Sequence, residues 1–169
     1  MIVRGDAVSQ LDTGPQGVQP GTRMQKPIPP DLVEPYLTGG RSVISGFVFR
    51  VADSNADSVP EFRRVFGIDY EGSGFSLQAD EIYLLRWQAV CAKQYLVPYS
   101  AERGGDWVLP PPFTGTGYVA AGDRRVPEFF ADPMPVPIGA EIHRVGADKT
   151  EFIARYNGQL WMPSAEGRD

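Results

Sequence analysis

The chain has 169 residues, 42% hydrophobic and 22% charged, with 16 basic against 21 acidic side chains and a formal net charge of −5. That length buries a core of single-domain size, and the composition excludes wholesale disorder. The negative charge argues against a nucleic-acid backbone or an anionic membrane surface as partner. The longest apolar runs, "IYLL" and "YLV", fall far short of the roughly 18 residues of a membrane span. The start "MIVRGDAVSQ" lacks the basic-then-apolar pattern of a signal peptide, and Cys91 is the only cysteine, so the expected compartment is a reducing cytoplasm.

The first 40 residues are rich in Pro and Gly. Prolines interrupt both helical and strand periods there, which predicts an extended, irregular N-terminal arm over 1–40 and one β-rich globular domain over 41–169. Within the arm, "PDLVEPYL" suits a short helical turn with Asp31 as its cap. "GFVFRV" predicts a buried strand over Phe47 to Val51, "EIYLLRWQAV" a longer one over Glu81 to Val90, and "QYLVPY" a further short strand. Between the first two, "DSVPEFRRVFG" carries the marks of a helix: Ser58 as cap, Pro60 in the first turn, Glu61 completing an S-x-x-E box and Gly67 ending it. "RVPEFFAD" predicts one more helical turn, pinned to the core by Phe129 and Phe130. "GAEIHRV", "GADK" and "TEFIARYNG" then read as a hairpin, with Phe152, Ala154 and Tyr156 on one face by strict alternation, and "QLWMP" as a closing strand. The expected class is α+β and β-rich: a mixed or antiparallel sheet with one or two short helices.

The chemistry of the chain is defined mainly by what is missing. One His and one Cys cannot make a structural zinc site. "DSNADS" places Asp53, Asn55 and Asp57 at the first, third and fifth places of a calcium loop, but Ser58 and Arg64 stand where that loop needs Gly and Glu, so a polar turn leading into the helix cap is expected. His143 is the one imidazole available as a base, and alternation with Ile142 predicts that it faces solvent. Cys91, after an apolar strand, is expected to be a small buried packing residue. No G-x-S-x-G elbow is present, and "GTGYVAAG" lacks the Lys and the helix start of a phosphate-cradling loop. The strand arginine of "FVFRVADS", Arg50, is similar to the NAD-holding arginine of ADP-ribosyltransferases. The Glu-x-Glu or Gln-x-Glu pair of those enzymes is absent, so the transferase remains an alternative without its catalytic residue. No catalytic residue, cofactor or metal is therefore expected.

What survives is a protein that binds a partner and blocks it, and one loop suits that role. In "AERGGDWVLPPPFTGTG", Gly104 and Gly105 let the backbone enter a narrow cleft, and Glu102 and Asp106 offer negative charge. Trp107 and Phe113 are bulky anchors of the kind that dominate interfaces, and Pro110, Pro111 and Pro112 stiffen the far limb. Through Gly104, Gly105 and Asp106 of "RGGDW", and through its small, acidic, β-rich character, the chain resembles the immunity factor of the tuberculosis necrotizing toxin. That resemblance implies a one-to-one complex with a toxin of NAD glycohydrolase activity, whose NAD cleft the loop would plug. A virion or scaffold component, defined by self-assembly, is the further alternative.

Overall fold

A computed structural model describes residues 14–108 and 113–165. The expected class holds: the chain is α+β and β-rich, with two short helices and ladders that are all antiparallel. The strands are β1 (Arg23–Ile28), β2 (Val43–Arg50), β3 (Ile82–Gln88), β4 (Tyr95–Leu96), β5 (Tyr118–Ala121), β6 (Arg124–Pro127), β7 (Phe129–Pro135), β8 (Glu141–Val145), β9 (Thr150–Tyr156) and β10 (Trp161–Pro163). Eight of them form one sheet in the order β10-β9-β8-β3-β1-β2-β7-β4, and β5 pairs β6 as a separate hairpin.

The centre of that sheet is a segment the sequence assigned to the arm. β1 pairs β3 along its whole length but meets β2 only at Met24 and Gln25. Pro27 lies beyond the last β1–β2 pair, where a missing N–H removes no ladder bond to β2, and that is why a proline is tolerated in a strand with neighbours on both sides. Helix α1 (Pro30–Leu37) follows directly. Its cap position is Pro29 with no side-chain bond, so Asp31 lies inside the first turn rather than capping it. Residues 23–37 are therefore part of the packed body, not of an irregular arm.

Alternation gives the sheet two cores. One face buries Met24, Ile28, Ile44, Val48, Leu85, Trp87, Phe129 and Ile142 beneath α1, whose Tyr36 donates its hydroxyl to Val43 O at 3.0 Å. The other buries Phe49, Ile82, Leu84 and Val145 against α2 (Val59–Val65) and the β5–β6 hairpin. The Ser58 cap predicted for α2 is present, with Oγ accepting from Glu61 N at 3.3 Å, while the returning Glu61 carboxylate reaches one residue past the cap and Oε2 accepts from Asp57 N at 3.0 Å. The "DSNADS" turn leads into that cap as expected, with Asp53 paired to Arg50 and the Asn55 carbonyl bonded by Arg124.

Three expectations are corrected. "RVPEFFAD" is not helical but the junction of β6 and β7, because the strand period sends Phe129 into one core and Phe130 to the opposite face, where a helix would put both on one side. Ile153 is an extra residue in β9: Ile142 faces Ala154 but His143 faces Phe152, so this bulge turns Phe152 away from Ala154. Cys91 is exposed, since it falls after β3 has ended.

Candidate functional site

The loop singled out in the sequence is stitched to its own domain. Trp107 N donates to Tyr99 O (3.2 Å), Gly105 N to Ser100 O (3.0 Å) and Ser100 N to Gly115 O (3.0 Å). A side chain at Gly105 would place its Cβ 1.9 Å from the Tyr99 carbonyl oxygen, so the glycine there answers a close approach within the loop. The Trp107 ring packs at a tilt against Phe130 (centroids 4.6 Å apart) and Phe47 (6.2 Å), and Phe113 lies 6.2 Å from Phe47. Of the six residues expected to bind a partner, then, Gly105, Trp107 and Phe113 are engaged by the fold. Glu102, Gly104 and Asp106 are exposed at the turn. Pro110, Pro111 and Pro112 lie outside the described residues.

The other sequence candidates are likewise committed. Arg50 is paired with Asp53, donates to Gln16 O at 3.0 Å and sits over the Phe129 ring, which leaves it poorly placed for a nucleotide phosphate. His143 does not face open solvent: it is half-buried, bonded at 2.8 Å to Glu141 Oε2 and flanked by the Phe152 ring at 5.7 Å. Burial holds its pKa below the ordinary value, the charges of Arg86 and Arg23 add to that, and Glu141 opposes it.

The strongest site was not anticipated. Where β1 and β2 diverge, a cavity of about 510 Å³ opens between β2 and the loop that follows α2. Phe49, Phe66, Ile68, Phe75, Phe113 and Val119 supply an apolar lining, and Lys26 and Glu128 bring the charge. Gly46 shapes the wall. It sits at the register shift between β2 and β7 with φ of 89°, a conformation that favours glycine, and a Cβ there would stand 3.3 Å from Lys26 Nζ. The buried Arg63 ties down the covering loop by donating to the carbonyls of Leu77 (3.2 Å) and Ala79.

Both ionisable groups are displaced from their usual behaviour. Burial, helped by the positive charge of Arg41, lowers Lys26 to about 8, while its ammonium donates to Phe47 O at 3.3 Å. Burial raises Glu128 to about 7, and its Oε1 is buried with no hydrogen-bond partner among the described residues. Burial is the leading cause of both shifts. Near neutral pH the cavity thus holds a mostly protonated amine and a carboxyl close to its midpoint, a proton donor and a proton acceptor in apolar surroundings.

The sequence held one signal for this site. Glu128 stands among Val126, Pro127, Phe129 and Phe130, an apolar context unusual for a carboxylate. Lys26 had none, because its strand was hidden among prolines. Comparison with family models, with curated proteins and with solved structures returns no match. Among the described residues no helix is long and apolar enough to cross a membrane.

Proposed function

We propose that the chain is a binding protein for a small amphipathic molecule, held in the Lys26–Glu128 cavity. The observation that carries this reading is an apolar cavity lined by Phe49, Phe66, Ile68, Phe75, Phe113 and Val119, with the desolvated Lys26 and Glu128 also in its wall. The volume lies in the range that encloses drug-sized ligands. The preferred ligand has an aromatic or aliphatic body and a polar end, such as a hydroxyl or primary amide, able to accept from Lys26 and donate to Glu128. The test is a fluorescence titration with anilinonaphthalene sulfonate, whose rings suit the lining and whose anion suits Lys26. Saturable enhancement is expected, about tenfold weaker in Lys26→Met and lost in Ser73→Trp, which fills the mouth. Equal binding by all three proteins would refute the reading.

A second reading keeps the toxin-blocking role. The support is the presentation of Glu102, Gly104 and Asp106, exposed on a turn whose base is anchored by Trp107 against Phe130 and Phe47. The two carboxylates of this turn complement a cleft built for dinucleotide phosphates. In this reading the chain forms a one-to-one complex with an NAD glycohydrolase toxin. Co-expression with a toxin encoded beside it should rescue growth, and the double variant Glu102→Lys, Asp106→Lys should abolish the rescue. Rescue that survives the double variant would exclude this tip as the blocking element.

A further inference from the structure

A second site lies elsewhere on the same sheet, where strand pairing sets a row of polar side chains side by side. Gln25 of β1 pairs with Arg86 of β3, Arg86 with Glu141 of β8, and Glu141 with Arg155 of β9. Directly opposed residues in such ladders stand about 5 Å apart, so the four form a continuous strip across four strands. Arg23 enters the same strip from the start of β1. The result is a groove of about 380 Å³ lined by Arg23, Arg86, Glu141, Arg155 and the exposed Ile138.

Its charge is unbalanced. Three guanidinium groups surround one carboxylate, in a chain whose overall charge is −5. Glu141 is saturated: Oε2 accepts from Arg23 Nη2 at 3.3 Å and is bonded to His143 Nε2 at 2.8 Å, while Oε1 accepts from Arg155 Nε at 3.1 Å. Arg86 is bonded to a neutral amide instead. Its Nε donates to Gln25 Oε1 at 3.1 Å.

That amide is itself fixed. Gln25 is 0% exposed, and its Nε2 donates to Ser54 Oγ at 2.7 Å and to Ser54 O at 3.2 Å, while Ser54 Oγ donates to Arg50 O at 2.7 Å. The relay holds Arg86 by its Nε edge in the wall of the groove. Burial and the neighbouring Arg23 both disfavour the Arg86 charge, with Glu141 opposing them, which is the electrostatic mark of a cation short of counter-charge.

We infer that this groove binds the phosphate of a small phosphomonoester, with Arg86 as the fixed central donor, Arg23 and Arg155 closing from either side, and Ile138 against the organic part. The excess of two positive charges matches a dianionic phosphate better than a monoanionic carboxylate, and guanidinium forks fit phosphate oxygens bidentately. The site is separate from the Lys26–Glu128 cavity and shares no lining residue with it.

The experiment is calorimetric titration of the full chain at constant ionic strength near pH 8, where phosphate is dianionic, with phenyl phosphate, inorganic phosphate and benzoate as probes. Phenyl phosphate is expected to bind about tenfold more tightly than inorganic phosphate and benzoate more weakly than either. Arg23→Ala and Arg155→Ala, whose side chains are 54% and 61% exposed and so removable without unfolding, should each weaken phenyl phosphate by about tenfold. Glu141→Gln, which removes the one opposing charge, should strengthen it. Benzoate binding as tightly as phenyl phosphate, no heat at about 10 mM probe, or unchanged affinity in both arginine variants would overturn the assignment.

Discussion

Replacing Lys26 with Met should stabilise the protein, although it removes a charged residue from a central strand. In the native protein the ammonium loses its proton at about 8; in the unfolded chain it does so at about 10.4. Each unit of that difference is worth 1.36 kcal/mol, so at neutral pH burial of the charge opposes folding by about 3 kcal/mol. The bond from Nζ to Phe47 O, at 3.3 Å, offsets about 1 kcal/mol of this. Methionine keeps the length of the stem and fills the same space, so Lys26→Met should gain about 2 kcal/mol near pH 7. The pH profile is the sharper signature. Between about 8 and 10.4 the unfolded chain binds the proton and the native protein does not, so wild-type stability rises with pH across that window. The lysine's contribution is fully present above 10.4 and lost as pH falls through 8. Urea denaturation at intervals from pH 6 to 10, run on wild type and Lys26→Met, reads this directly. The gap between the two proteins should be widest below 8 and close towards the alkaline end. A constant gap, or a variant less stable than wild type at pH 7, would refute the claim that desolvation governs this lysine.

Glu128 should behave in the opposite sense: its pKa is raised to about 7, so its contribution is complete below about 4.3 and lost as pH rises through 7. Glu128→Gln should match wild type near pH 4 and exceed it by up to about 3 kcal/mol above pH 7, checked by the same denaturation series. Gly105→Ala should cost about 2 kcal/mol in the isolated chain, because its Cβ meets the Tyr99 carbonyl at 1.9 Å; a thermal midpoint equal to wild type would count against that close approach. Trp107→Ala should also destabilise the chain alone, by about 2 kcal/mol, through loss of its packing on Phe130 and Phe47, whereas a tryptophan serving only a partner would leave stability within about 0.5 kcal/mol.

Local signals were legible in proportion to how local their physics is. The α2 cap could be read from Ser58 and Glu61 alone, because both bonds close within four residues. The β8–β9 hairpin followed from alternation, but its bulge at Ile153 did not, since an extra residue is specified by the partner strand. β1 was concealed because a proline objects to a strand only where its N–H is needed, and that depends on where β2 turns away. The two site residues illustrate the same limit. Lys26 and Glu128 are 102 positions apart in the sequence, and only the divergence of β1 from β2 and the return of the chain into β7 bring them to one cavity. Trp107 and the glycines beside it were visible as an unusual cluster, yet composition cannot tell a ring that faces a partner from one that packs at home.

The outermost members of the large sheet are β4, two residues long, and β10, three residues long and ending in Pro163. A stranger strand seeking to zip onto β10 or β4 itself finds only two or three residues to pair with, and on the β10 side a ring nitrogen with nothing to donate. Those two short margins are poor templates for edge-to-edge recruitment of another copy.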